Sequence, residues 1–151
     1  MRITVNTAEF AQGIQAMKTQ FADRIRQAML LSCAEIESAA KEKCPKGNGE
    51  SGETVPLRQS ISYRVDAAEE GTAKGTVGSP LDYAVYVHEG TGLYSRTGMG
   101  RKDVPWTYRN SAGNFYSTKG NQPQPFLEEA VDEKRERVMQ IFRSIVGGET
   151  P

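Results

Sequence analysis

His88 is the single histidine of the chain, and Glu89 follows it directly. An imidazole beside a carboxylate is the arrangement from which a general base is built, with the acid fixing the ring's tautomer. That chemistry also needs a nucleophile or a positioned water. The sequence offers neither a G-x-S-x-G elbow nor a His-Glu-x-x-His helix. A metal set of His88 with Cys33 and Cys44 lacks the close Cys or His spacing of such sites. Gly90, Gly92, Gly98, Gly100, Gly113 and Gly120 never form a G-x-x-x-x-G-K-[ST] cradle, so they read as bend points rather than a phosphate site. The expectation is no catalytic residue, no metal and no cofactor. A small hydrolase or nuclease centred on His88 and Glu89 stands as the enzymatic alternative.

The elements that would position these residues follow from periodicity. Phe10, Ile14, Met17, Phe21, Ile25, Met29, Cys33, Ile36 and Ala40 recur in steps of three and four, predicting one amphipathic helix over residues 8–44. Thr7 reads as its N-cap, Glu9 lies in its first turn, and Pro45 ends it. Its polar face carries Lys18, Asp23, Arg24, Glu35 and Lys41. The apolar stripe reads as core-facing, with length to spare for an intersubunit role. Cys33 and Cys44 would lie about 16 Å apart on this helix, beyond the roughly 7 Å a disulfide allows. They read as buried thiols.

Residues 45–59 form a polar loop. Ile61, Tyr63 and Val65 then alternate with Ser60, Ser62 and Arg64, a strand with one buried face. Glu69-Glu70-Gly71 supplies a turn, and residues 72–78 a second strand, giving an antiparallel hairpin. Tyr83, Val85 and Val87 alternate as a strand would. Ser79 as N-cap, Pro80 at the first helical position, Asp82 beyond it and Gly90 as a left-handed cap outweigh that and predict a short helix. A final helix runs from near Pro125 to before Gly147-Gly148, with Leu127, Val131, Val138, Phe142 and Ile145 as its stripe.

Residues 91–124 make a connection too long to be idle in a compact domain. Trp106–Arg109 and Phe115–Thr118 should pair as a hairpin within it. The chain as a whole is neutral, with 19 basic and 19 acidic side chains, but this loop carries Arg96, Arg101, Lys102, Arg109 and Lys119 against Asp103 alone. It is a basic projection that the overall balance conceals. Tyr94, Trp106, Tyr108, Phe115 and Tyr116 are interleaved with those cations, the mixture that protein interfaces favour. Tyr83, Tyr86 and Phe126 complete the expected interface residues. The same loop, over 94–120, could instead bind nucleic acid by phosphate contacts and stacking. An overall neutral chain lacks the basic footprint of a dedicated duplex binder.

At 151 residues the chain has room for one domain with a real core. Its mean hydropathy of -0.58 suggests that part of it is solvated or orders against a partner. No apolar run reaches the roughly 18 residues of a membrane span, and the N-terminus lacks a secretory stretch. A protein made in the cytoplasm is expected.

Tyr83-Ala84-Val85-Tyr86-Val87-His88-Glu89-Gly90-Thr91, Pro105-Trp106-Thr107-Tyr108, Phe115-Tyr116-Ser117-Thr118-Lys119-Gly120 and Gln124-Pro125-Phe126-Leu127 together resemble the neck or minor tail-component proteins of tailed phages and prophages. Leu57-Arg58-Gln59-Ser60-Ile61 is similar to that family's lead into its first strand. The likeness covers roughly residues 55–146. It implies an α+β fold, with a long N-terminal helix and a C-terminal helix packed on a small antiparallel sheet, here with an extended hairpin arm. It further implies a structural role at the head–tail junction, in the virion, as a ring-forming homo-oligomer. Connector, stopper, tail-terminator or tail-tube proteins are the implied partners, and DNA in the channel is a possible contact. His88-Glu89 departs from the family's more usual Glu followed by an aromatic.

Overall fold

The computed structural model describes residues 7–46, 57–66, 72–109 and 113–147. The first element, α1, runs from Ala8 to Lys43. That stretch has no proline and is rich in Ala, Gln, Glu and Lys, all strong helix formers. The chain leaves the helix at Cys44, whose extended backbone (φ -60, ψ 130) precedes Pro45. Thr7 sits where predicted, but its side chain makes no capping bond. It contributes only its carbonyl, which accepts from Ala11 N at 3.0 Å.

A one-turn helix α2 (Leu57–Ser60) leads into β1 (Ser62–Val65), which pairs antiparallel with β2 (Gly75–Gly78), Tyr63 opposite Val77. Ser60 therefore belongs to a helical turn and not to the strand, because its Oγ donates back to Leu57 O at 2.7 Å. Ile61 is buried as the alternation predicted, whereas Tyr63 is 37% exposed. A two-stranded hairpin has only one neighbour to cover its face, and here α1 lies across part of it. The predicted turn at residues 69–71 and most of the 45–59 loop lie outside the described residues.

Ser79 Oγ accepts from Leu81 N at 3.1 Å and shares a hydrogen bond with Ser60 Oγ at 2.6 Å. The predicted cap is thus present, but it caps a turn, and the helix proper, α3, begins at Ala84 and ends at Glu89. Gly90 stops it with φ 76 and ψ 171, which is positive φ without the left-handed geometry expected there. A 3-10 turn (Gly92–Tyr94), the hairpin β3 (Trp106–Arg109) with β4 (Phe115–Thr118), and α4 (Phe126–Val146) complete the order. β3 pairs with β4 as expected, Tyr108 opposite Tyr116. The fold is α+β with two long helices as predicted, and among the described residues the strands form two two-stranded antiparallel sheets, the second being the hairpin of the arm.

The two long helices pack on each other in opposite senses. Lys43 of α1 pairs with Glu133 of α4 at 2.8 Å, while Glu35, eight residues earlier, meets Lys134 and Arg137. Glu35 is therefore at the helix seam and not on the open polar face. The core beneath is built from Ala39, Ala40, Cys44, Leu57, Ile61, Phe126 and Ala130. On α4 the buried positions are Phe126, Ala130 and Ile141. Val131, expected in the stripe, is 44% exposed. Small residues on α1 let the aromatic ring of Phe126 approach closely, and burying such a side chain contributes about 1.5–3 kcal/mol.

α1 has 36 residues and α4 has 21, so at ~1.5 Å per residue the first helix outruns its partner by roughly 20 Å. The excess falls at the N-terminal end. Every residue from Thr7 to Phe21 is exposed, and burial begins in earnest only at Ala28. The predicted core stripe is therefore correct for its second half and incorrect for Phe10, Ile14, Met17 and Phe21.

Candidate partner-binding surfaces

Backbone bonds at the root of the 91–124 segment explain why it projects. Thr91 N donates to Asn121 O and Leu93 N to Lys119 O, each at 3.0 Å, while Asn121 N donates to Thr91 Oγ1 at 2.9 Å. Gln124 N donates to Val87 O at 3.0 Å and Arg96 N to Glu89 O at 2.9 Å, tying both ends to α3. Gly92 makes the crossing possible. Its φ of 59 suits glycine, and a Cβ there would run into Lys119 O and lie 2.8 Å from the Trp106 ring. The segment is thus a rooted hairpin and not a loose loop.

The predicted interface residues divide into three groups. Around the root, Trp106 lies over Gly92, and the Arg101 guanidinium sits 5.6 Å from the Trp106 ring centroid. Arg96 leaves this group to pair with Glu128 at 2.9 Å, a bond that pushes the Arg96 pKa up from its ordinary value. Lys102 is exposed beside them. On the hairpin, Tyr108 and Tyr116 stack at 5.7 Å, and Arg109 covers the Phe115 ring at 5.8 Å while donating to Gly113 O. Tyr86 and Tyr94 are exposed on the body, whereas Tyr83 packs against the core. Phe126 is buried to 2% in that core and is not a surface residue. Its position at the start of a helix signalled packing as much as contact.

Between α3, the 3-10 turn and β3 lies an open cleft of about 400 Å³, lined by Val85, Tyr86, Met99, Arg101 and Trp106 among others. Val85 and Met99, which were not among the expected interface residues, line this cleft and are 55% and 88% exposed. For Met99 the available signal was an apolar residue between Gly98 and Gly100 in a long segment; Val85, inside α3, carried none. Such a cleft can accept apolar side chains of a partner, with cations at its rim to orient them.

His88 is arranged differently. Its Nδ1 meets Glu89 Oε1 at 2.9 Å, its ring stands edge-on to Phe126 at 5.4 Å, and its Nε2 is buried with no hydrogen-bond partner among the described residues. A general base must reach a substrate proton, and the nitrogen left over here points into the protein. His88, Glu89 and Glu128 bring donor atoms within 4.8 Å of one another. Arg96 already neutralises Glu128 through its Oε2, which lowers the net negative charge this group could offer a dication. Cys33 and Cys44 are buried free thiols on α1 and at its end, and burial raises both pKa values.

One family comparison places the chain. Residues 8–90 match the family described as "Bacteriophage HK97-gp10, putative tail-component". The match spans more than half of the chain, which belongs to this family of structural phage tail components. It reaches back over α1, which the motif resemblance did not include, and stops at Gly90, where the arm begins. No curated protein and no solved structure matches the chain. Among the described residues no helix is long and apolar enough to cross a membrane.

Proposed function

We propose that the chain is a structural subunit of the phage head–tail junction, folded as one domain, incorporated in the virion after synthesis in the host cytoplasm. It associates with copies of itself in a ring and docks on connector, stopper, tail-terminator or tail-tube proteins, and it catalyses no reaction. Family membership carries this reading. The geometry supports it: a rooted hairpin presents aromatic and arginine side chains to solvent, while the one histidine turns its second nitrogen inward. A ring subunit needs a rigid body and a surface complementary to a different surface on its neighbour, and the α1–α4 body with its arm supplies both. Deleting residues 94–120 is expected to abolish assembly of infectious particles and to reduce oligomer size. Unchanged assembly and size would remove the arm from the account.

A second reading rests on the stacked Tyr108–Tyr116 pair beside Arg109 and Phe115, a surface that also suits single-stranded nucleic acid or channel DNA. Binding that falls steeply with salt, by a chain that never oligomerises, would favour it. A hydrolase or nuclease centred on His88 would lose activity in His88→Gln, whereas the structural reading expects that variant to assemble normally.

A further inference from the structure

Phe10, Ile14, Met17 and Phe21 follow one another at spacings of four, three and four, the alternation of a coiled-coil seam. They are 72%, 40%, 71% and 48% exposed, on a part of α1 where every residue from Thr7 to Phe21 faces solvent. Ile14, Met17 and Phe21, with Lys18 and Arg24, also line a shallow apolar depression along the helix. A helix of this length without tertiary contacts is marginal in water, so a covering surface is expected. The matched family span begins at residue 8 and includes the whole seam.

We propose that this seam is covered by the same seam of a second copy, running in the opposite direction. The spacing reads the same from either end. A copy turned end for end sets Phe10 against the partner's Phe21 and Ile14 against the partner's Met17, with aromatic pairs outside and aliphatic pairs inside. Charge selects this sense over the parallel one. Glu9 and Arg24 flank the seam on the same side of the helix, at 100° per residue. End-for-end pairing brings Arg24 to within about 3 Å, along the axis, of the partner's Glu9. Parallel pairing in register sets Arg24 at the same height as the partner's Arg24 instead.

The area suffices. Covered aromatic side chains bury about 150–250 Å² each, so the four exposed residues offer on the order of 400–500 Å² per copy. Two copies with their polar flanks approach the ~1,200 Å² at which specific interfaces begin. This contact differs from the one a ring needs. It is isologous, joining two chains or two rings across a two-fold axis, whereas a closed ring is built from heterologous contacts. It therefore stands or falls apart from the ring reading.

The test uses the full chain in solution. Sedimentation equilibrium at micromolar concentration should give a dimer or a multiple of it for the wild type, and half that mass for Met17→Glu. The melting of the α1–α4 body should be unchanged, because Met17 is 71% exposed among the described residues. Orientation is read with a short bis-maleimide, which the buried Cys33 and Cys44 escape. A Phe10→Cys and Phe21→Cys double variant should cross-link to dimers. Phe10→Cys alone should not, its two thiols lying about 16 Å apart along the axis. Cross-linking by Phe10→Cys alone overturns the antiparallel sense. A monomeric wild type overturns the pairing, and if Met17→Glu then still blocked particle assembly, the seam would belong to another virion protein.

Discussion

Gly75 of β2 lies against α1. A Cβ there would collide with Cys33 Sγ and lie 2.9 Å from Met29 Sδ. Gly75→Ala should therefore cost about 1–3 kcal/mol, as overpacking does, in a urea titration. Gly78→Ala, with nothing within 4 Å of its Cβ, is the near-neutral control. The Lys43–Glu133 bond, the clasp nearest the end of α1, makes a prediction about pH. Lys43 holds the Glu133 carboxyl below its ordinary 4.5, so that group's contribution is present above 4.5 and is lost as pH falls through its folded value. Glu133 raises Lys43 above its ordinary 10.5, so that contribution is present below 10.5 and fades as pH rises through the higher folded value. A double-mutant cycle with Lys43→Met and Glu133→Gln should show coupling at pH 7 that disappears well below pH 4.5. Glu133 is exposed and Lys43 only half-buried, so the coupling will be small and weakened by salt. None of these contacts was legible in the sequence, because each joins segments at least thirty residues apart.

At the scale of elements, the sequence reading and the structure agree where local chemistry dominates. α4 begins one residue after Pro125 and ends before Gly147, and the second hairpin has the predicted strands. They part where a neighbour decides. Periodicity on α1 located an apolar stripe correctly but could not say that α4 covers only its second half. The two helix lengths held that information, 36 residues against 21. Likewise, the arm's aromatic and basic character was readable, while the backbone bonds rooting it in α3 were not. Gly13 tests the reading of α1 as an unpacked helix. A Cβ there meets nothing within 4 Å, so Gly13→Ala should stabilise the helix by about 0.5–1 kcal/mol, seen as greater helicity and a higher melting temperature. A loss of stability would mean that Gly13 is already packed closely against another surface.

For the whole molecule, the parts divide between a body and two projections. Phe126, Ala39 and Ala40 hold the body together. The N-terminal half of α1 extends from the end opposite to that at which Phe126 joins α4 to α1. α3, the cleft and the arm lie at the Phe126 end, where His88 packs on that ring. Apolar surface at both poles suits a subunit whose partners lie on more than one side, as the proposed junction role requires. The central claim is that this chain completes a particle rather than catalysing a reaction. It is tested most directly by electron microscopy and plaque counts of a tailed phage lacking the chain, complemented in trans. The account predicts incomplete, non-infectious particles without it. Wild type and His88→Gln should restore joined, infectious particles, and the 94–120 deletion should not. Complete, infectious particles formed in the absence of the chain would contradict it.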